Sequence, residues 1–573
     1  MYILGVNAIG HHDASACLLK DGQIIAFAEE ERFTRSKHAL QQYPIHAIQF
    51  CLNRAGIILD EVDYIATPWI EEENAFTASA GPVSDITFSL RFNKDAHQLP
   101  SFVDKVFQRK YFSFTKLPPI VHVSHHLAHA ASAYRCTPFE EAAILVVDGE
   151  GDRVSTTMAY GRGNEIHLID QFPTLYSLGQ MYACITNFIG LGDMAEGKTM
   201  GLAAYGNHTE TLDIITRSDQ GYAIELKVDK DIWNPREVDW LVIIDAWMKY
   251  FGRRFGAPNL PTTKYDSKTC RFLKTTEFPQ RYKDIAASVQ KELEDLMIHL
   301  SKILLKKTGS RNLVLAGGVA LNCSANGKLA QFLELENIFI QPISSDAGAP
   351  LGACLELYAH LGHTTRADFA STAFGPDYSN DYIRQQLDTL GITYTGCEDI
   401  GRTTAELLEQ GKTIGWFQGA MEAGPRALGH RSILANPATI KMRDHLNHIK
   451  GREMWRPLGP SLREENMASM FGTTRPSPFM ILAYPVKDEM QGKVPAVVHV
   501  DGSARPQTIS RQVEPLYWHM LNEFEKRTGL PCLINTSFNA SHEPIVCTPQ
   551  DALRTFYSTS LDVLAIGAFS VRK

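Results

Sequence analysis

Residues 143–171, AILVVDGEGDRVSTTMAYGRGNEIHLIDQ, decide how the chain is read. An apolar strand (ILVVD) meets a Gly/Asp loop, a second strand (VSTTMAY) follows, and an Arg-Gly-Asn-Glu turn leads to a third (IHLIDQF). Turn residues between alternating strands predict hairpins. Residues 2–31 run in the same order: YILGVN, a polar loop over Gly10–Asp13, ASACLL, a Lys-Asp-Gly-Gln turn and IIAFAEE. Any two meanders look somewhat alike. Here the acid-bearing loop falls at the same place in both, so the pattern reads as a duplicated unit.

Working outward, Ile285, Val289, Leu293, Leu296, Leu300, Ile303 and Leu304 recur at helical spacing and predict a long amphipathic helix. A strand (NLVLA), a Gly317-Gly318 turn, a helix through Leu329, a strand (IFIQP) and a helix (APLGACLELYAHL) follow, which is an α/β pattern. Residues 363–395 are polar and contain Gly375-Pro376-Asp377. The expected organisation is a first domain over 1–370, a linker over 371–395 and a second domain over 396–573.

A chain of 573 residues with 44% hydrophobic and 21% charged residues is neither disordered nor a single small domain. It has no run of about 18 apolar residues and no basic, apolar leader at Met1, so membrane spans and a signal peptide are not expected. Ten scattered cysteines without a CxxC pair fit reduced thiols, hence a cytoplasmic location. The net charge of −8 is uneven: residues 401–573 carry 20 basic and 16 acidic residues, or +4, which leaves −12 on residues 1–400. The split places a phosphate-bearing ligand near the C-terminal part and opposes nucleic acid as the substrate.

Chemistry-bearing residues cluster. His125 and His129 stand at i and i+4 in an Ala-rich stretch, on one face of the expected helix. The zincin pattern HExxH is not met, and a solvated helix end is the plain alternative. Asp148 ends an apolar strand and Asp346 lies between a strand and a helix, where carboxylates of α/β sheets meet ligands; a cap or a turn is the commoner fate of Asp. Two His and two Asp suit Fe(II), Mn(II) or Zn(II) better than Mg(II) or Ca(II).

Gly192–Thr199 spells GxxxxGK[ST], yet a helical segment precedes it and a glycine-rich, poor helix follows, so Lys198 is not expected to be a P-loop lysine, although it can still approach a phosphate. Gly317-Gly318, opening onto Asn322, can bring backbone N–H groups to a nucleotide or simply make a tight turn. Arginines in Gly/Pro loops, GPRALGHRS around Arg426, KGREMWRP with Lys450 and Arg456, and SARPQTISR with Arg505, suit di- or triphosphate contacts. Ser537 and Asn539 offer polar groups at a strand end. His12 beside Asp13, after His11, has the make-up of a general base; Lys37 in the charge run EEERFTRSKH can sit over an anion, although such runs are usually solvated.

Taken together, HHDASACLL, EEERFTRSKH, HHLAHAASAY, VVDGEGD, SLGQMY, GKTMGLAAYG, AGGVALN, SSDAGAPLGA, GPRALGHRSIL, KGREMWRPLGPS and NTSFN resemble the ATP-dependent O-carbamoyltransferases that tailor antibiotics and nodulation factors, such as those acting on tobramycin, cephalosporins and novobiocin. The resemblance implies an N-terminal Kae1-like domain, a duplicated ribonuclease-H-like unit of the actin/Hsp70-like class, and a C-terminal YrdC-like α/β domain. It implies that ATP and carbamoyl phosphate meet in the C-terminal domain, at Arg426, Lys450, Arg456, Arg505 and Ser537, to give carbamoyl-adenylate. Gly179, Lys198, Gly317, Gly318, Asn322 and Asn539 fall in its nucleotide-side motifs. Transfer to a hydroxyl of a small-molecule acceptor would follow beside a metal, Fe(II) foremost, on His125, His129, Asp148 and Asp346, with His12, Asp13 and Lys37 at the reacting groups. Mg(II) can accompany ATP. Neither nucleic acid nor a membrane is implied as a partner. The alternatives are a tRNA threonylcarbamoyl-transfer enzyme, an actin/Hsp70-like kinase or ATPase, and an inactive scaffold. Residues 66–120 and 207–280 match no motif and read as substrate-shaping insertions.

Overall fold

The computed structural model describes residues 1–8, 12–70, 89–92, 102–227, 240–260, 262–266, 271–275, 278–364 and 366–573. His11, Cys270 and much of the two expected insertions lie outside the described residues.

Tyr2–Asn7, Ser15–Lys20 and Gln23–Glu29 form an antiparallel meander. Its first hairpin turns at Asp21 (φ 50°) and Gly22 (φ 79°), the doubly left-handed turn that Asp-Gly favours. Tyr64–Thr67 and Ile120–Val123 then run parallel to the first strand, and Leu90–Phe92 closes the edge. The second sheet repeats the plan. Glu141–Gly151, Val154–Arg162 and Glu165–Pro173 form the meander, with Asn312–Ala316 and Asn337–Ile340 parallel to its first strand. Both sheets share the spatial order third, second, first, fourth, fifth, so the N-terminal part is the duplicated ribonuclease-H-like unit.

In each copy the fifth strand feeds a helix, His125–Tyr134 in one and Ala349–His360 in the other. The two helices pack against each other so closely that a Cβ on Gly352 would stand 1.7 Å from the Ala128 carbonyl oxygen. The small residues of HHLAHAASAY permit this approach, and every residue of that helix is buried. The two histidines are thereby carried into the centre of the molecule rather than to a solvated end.

The C-terminal part is α/β around one mixed eight-stranded sheet: Tyr394–Gly396, Phe569–Arg572, Val563–Ile566, Ile414–Phe417, Arg431–Ala435, Cys532–Ser537, Gly459–Arg463 and Gln507–Ile509, in that order. The stretch 371–395, expected as a linker, holds the helix Asn380–Thr389, capped by the Ser379 hydroxyl, and most of a strand paired with Phe569–Arg572. Its polar composition reflects a surface helix that buries Ile383 and Leu387.

The charge run 29–38 is not a solvated face but a strap between the two parts. Arg32 pairs with Glu29 and Glu31 and donates to the Gly424 carbonyl at 2.8 Å. Arg35 donates to the Ile545 and Pro544 carbonyls at 2.6 and 2.7 Å. Among the described residues no helix is long and apolar enough to cross a membrane.

Candidate functional site

The helix pair and the strand ends bring His125, His129, Asp148 and Asp346 to one point, with one donor atom from each lying within 4.8 Å of the others. His125 Nε2 is 3.0 Å from His129 Nε2, 3.1 Å from Asp148 Oδ2 and 3.5 Å from Asp346 Oδ1. Asp148 sits where the strand Glu141–Gly151 loses register with its partner, which turns its carboxylate inward.

Outer contacts fix the set. His125 Nδ1 is 3.3 Å from the Pro68 carbonyl, and the Trp69 ring lies over the imidazole with centroids 4.0 Å apart. Such a carbonyl holds the proton on Nδ1 and leaves Nε2 free to ligate. A Cβ on Gly151 would come within 1.9 Å of the His125 ring, so glycine is what leaves room for it. His126, by contrast, is spent: Val154 and Thr157 satisfy its two nitrogens, and burial, then His125, push its pKa down to about 3.

The two carboxylates dominate the electrostatics of the cluster. Burial alone would lower His125, yet Asp346 and Asp148 raise it to about 10, and Asp148 is held well below the ordinary carboxylate range. The buried, converging nitrogen and oxygen donors therefore fit a divalent transition metal.

The second cluster is basic. Arg426, Lys450, Arg452, Arg456 and Arg505 line a cavity of about 1460 Å³. Burial, then Arg505, lowers Arg426 to about 9; burial, then Arg456, lowers Arg452 to about 9; burial, then Arg452 and Arg456, lowers Lys450 strongly. Arg426 Nε, Arg452 Nη2 and Arg505 Nε are buried without a partner. Lys450 Nζ donates to the Ser537 carbonyl, to Asn539 Oδ1 at 2.7 Å and to the Asn539 carbonyl at 3.1 Å, all neutral acceptors. Cations crowded together and short of acids form a cradle for a polyanion.

The same cavity reaches the metal cluster: Asp148, Asp346, His12, Asp13, Lys37, Gly179 and Lys198 also line it. Asp13 has φ 54°, and Asn7 ties its carbonyl at 3.0 Å to the loop of Asp346, whose carbonyl it reaches at 3.3 Å. His12 Nδ1 is 3.8 Å from Asp13 Oδ2. Burial would lower His12, but Asp13, then Asp346 and Asp148, outweigh it and raise it to about 9.

Other expected residues are engaged within the protein. The Gly318 N–H donates to Asp148 Oδ1 at 2.8 Å, and Gly317 adopts φ 86° with Val147 O only 2.3 Å from a built Cβ, so this turn positions the Asp148 carboxylate. Asn322 accepts from Ala325 N as a helix cap and pairs with Gln290 through both amide atoms. Lys198 lies within the helix Glu196–Ala203, which forms despite its glycines, and pairs with Glu453 at 3.0 Å; among the described residues no strand leads into it.

Sequence reading missed Glu422, whose Oε1 accepts the N–H groups of Leu428 at 2.7 Å and Arg431 at 3.1 Å and so shapes the loop that carries Arg426. It also missed His38, whose Nδ1 lies 3.1 Å from Asp13 Oδ1. Arg431, in the same motif as Arg426, is structural: it is buried, caps the Gln418, Gly419 and Pro376 carbonyls and lies over the Phe417 ring.

A duplicated α/β core whose buried His/Asp cluster opens through Asp148 and Asp346 onto a chamber lined by basic side chains is the arrangement of a group-transfer enzyme. The chain matches the models described as carbamoyltransferase N-terminus, over residues 2–355, and carbamoyltransferase C-terminus, over residues 405–573, and it belongs to the carbamoyltransferase family. Nodulation protein NolNO of Sinorhizobium fredii is 37% identical over 576 residues, 98% of this chain and 79% of that protein. An uncharacterized Synechocystis protein is 36% identical over 617 residues, 100% of this chain and 97% of that protein. Among solved structures, full-length HypF in the phosphate- and nucleotide-bound form aligns with a TM-score of 0.29 at 16% identity, over 64% of this chain and 56% of that one.

Proposed function

We propose that the protein is an O-carbamoyltransferase that cleaves carbamoyl phosphate with water to carbamate and inorganic phosphate, joins the carbamate oxygen to the α-phosphorus of ATP to give carbamoyl-adenylate and pyrophosphate, and then passes the carbamoyl group to a hydroxyl of a small-molecule natural product, with AMP leaving. The observation that carries the reading is the single cavity lined by the basic cluster and by Asp148 and Asp346 of the His/Asp cluster. Arg426, Arg452, Arg456 and Arg505, with Lys450, bind and orient the phosphates and offset the charge that builds as pyrophosphate leaves. The carbamoyl-adenylate then reaches the Asp13 loop without leaving the chamber, which shields a hydrolysable intermediate from water.

His125, His129, Asp148 and Asp346 would hold a divalent transition metal, foremost Fe(II), whose chemistry when bound is Lewis-acid polarisation of the carbamoyl oxygen. Lys37, on the same wall, faces the leaving phosphate, and Asp13 orders the imidazoles beside it. We place the domain boundary between the helix ending at His360 and the helix starting at Asn380.

The test is pyrophosphate release by the purified protein. It should require both ATP and carbamoyl phosphate. Release with ATP alone, or release of inorganic phosphate from ATP without pyrophosphate, would refute the adenylate route.

A further inference from the structure

The stretch His499-Val500-Asp501-Gly502-Ser503-Ala504-Arg505 makes a tight turn on the wall of the basic chamber. The Gly502 N–H donates to the His499 carbonyl at 3.0 Å, the His499 N–H donates to the Ser503 carbonyl at 2.8 Å, and Gly502 adopts φ 78°. Ser503–Ala504 then pairs as a short strand with Tyr484–Pro485 and leads into Arg505. His499 and Arg505 therefore stand at the two ends of one turn, and both line the cavity.

The His499 ring is held from two sides. Tyr205, from the N-terminal part, packs edge-on against it with centroids 5.6 Å apart. Asp501 Oδ1, fixed by the Ser503 N–H at 3.0 Å and the Ser503 hydroxyl at 2.7 Å, lies 3.7 Å from Nδ1. A carboxylate on that side favours the proton on Nδ1 and leaves the lone pair on Nε2. The side chain is 11% exposed, and Nε2 is buried without a hydrogen-bond partner. Buried polar atoms are nearly always paired, so an orphan on a chamber wall marks a place for an incoming group. The orphaned nitrogens on Arg426, Arg452 and Arg505 are permanent donors, suited to phosphate oxygens. Beside them, His499 Nε2 is the nitrogen that can accept a proton. Burial lowers its pKa, Asp501 opposes this and Arg443 of the helix Ile440–Ile449 adds to it, so the ring is neutral at pH 7.

Cleavage of carbamoyl phosphate requires a water to lose a proton beside a bound phosphate. We propose that His499 is the base that takes this proton. The inference rests on the carbamoyl-adenylate reading above and assigns a residue to its first step. The water oxygen forms a bond to phosphorus, and the bond from phosphorus to the bridging oxygen breaks. The electron pair leaves on carbamate, while the water proton passes to His499 Nε2 and from there to the inorganic phosphate. Arg505, at the other end of the turn, holds the phosphate oxygens. Carbamate is left in the chamber, ready for ATP.

The informative variant is His499→Gln, which keeps a polar side chain but offers no base. Radiolabelled carbamoyl phosphate, with ATP present, reports inorganic phosphate. Pyrophosphate is counted in parallel, first with carbamoyl phosphate and then with ammonium carbamate in its place. Phosphate release should fall about 10²–10⁴-fold, and pyrophosphate release from carbamoyl phosphate should fall with it. Pyrophosphate release from ATP and ammonium carbamate should stay within about threefold of the unsubstituted rate, because supplied carbamate bypasses the missing step. A residue that only packs against Tyr205, or only binds ATP, would lose both pyrophosphate reactions together, and that result would overturn the proposal. So would labelled phosphate released within about threefold of the unsubstituted rate. If the unsubstituted protein makes no pyrophosphate from ATP and carbamate, the adenylate route falls, and the pH profile of labelled phosphate release still decides His499. Only the neutral ring accepts a proton, so the unsubstituted rate should decline toward acid as the imidazole charges, and the variant should lose that limb. The same limb kept by the variant would reject the assignment.

Discussion

Replacing Arg426 by methionine should make the protein more stable and its phosphate site weaker. Arg426 Nε is buried without a partner, and burial, then Arg505, lowers the guanidinium to about 9. Replacing buried charge by apolar side chains of similar volume is often worth about 1–4 kcal/mol of stability. In a domain of about 150–250 residues each kcal/mol moves Tm by about 2–4 °C, so the unliganded protein should melt at least about 2 °C higher. Ligand binding moves the other way. A charge-assisted contact is worth about 1.5–3 kcal/mol, or about 10–150-fold in affinity. With ATP at about a hundred times Kd, binding adds about 2.7 kcal/mol to the unsubstituted protein, and after a hundredfold weakening it adds only about 0.4. The assay is calorimetric melting with and without ATP and pyrophosphate. A lower Tm without ligand would show that Arg426 is a structural residue, and an undiminished ligand shift would show that it touches no phosphate.

Three further outcomes are expected. Gly151→Ala should lose bound metal after reconstitution with Fe(II), because its Cβ would stand 1.9 Å from the His125 ring, whereas Gly149→Ala, with nothing nearer than 3.8 Å, should keep it; equal metal content in the two would count against the ligand assignment. Lys198→Ala should leave pyrophosphate release within about threefold of the unsubstituted rate, since the lysine sits in a helix paired with Glu453, and complete loss would reinstate it as a phosphate lysine. The His430–Glu514 pair, 3.2 Å apart, should give a pH-dependent stability. Burial lowers His430 but Glu514 and Glu422 prevail and raise it, so its contribution is full below the unfolded value of about 6.5 and fades as pH rises through the higher folded one. Urea titrations from pH 6 to 9 should show this slope, and Glu514→Gln should flatten it.

Period-two patterning and Asp-Gly punctuation made both meanders legible, because strand alternation and turn chemistry are local. The convergence of His125, His129, Asp148 and Asp346 was legible for a similar reason: i, i+4 spacing and strand-end aspartates are short-range signals that the fold brings together. What failed was long-range. The polar stretch 371–395 conceals a helix because only Ile383 and Leu387 need face inward. The run at 29–38 looked solvated because nothing nearby reveals that Arg32 and Arg35 meet carbonyls some 400 to 500 residues away. Glu422 and His38 escaped because their partners are backbone N–H groups and an aspartate in another loop. Gly318 and Asn322 line the cavity as well as serving inside the protein, and a turn that orients a carboxylate and one that cradles a phosphate share the same residues.

The strap from Glu29 to His38 also bears on how such enzymes can be recombined. Its arginines grip the C-terminal part mainly through the main-chain carbonyls of Gly424, Pro544 and Ile545, with Arg35 Nε also 3.5 Å from Asp551 Oδ1. A homologous C-terminal half that follows the same backbone course offers those acceptors whatever its sequence. Halves from divergent relatives that keep an acid at 551 should therefore dock in register at the strap, with Lys37 and His38 delivered to the shared chamber, so a chimera has side chains to match only where the halves meet beyond the strap, as at Lys198 and Glu453.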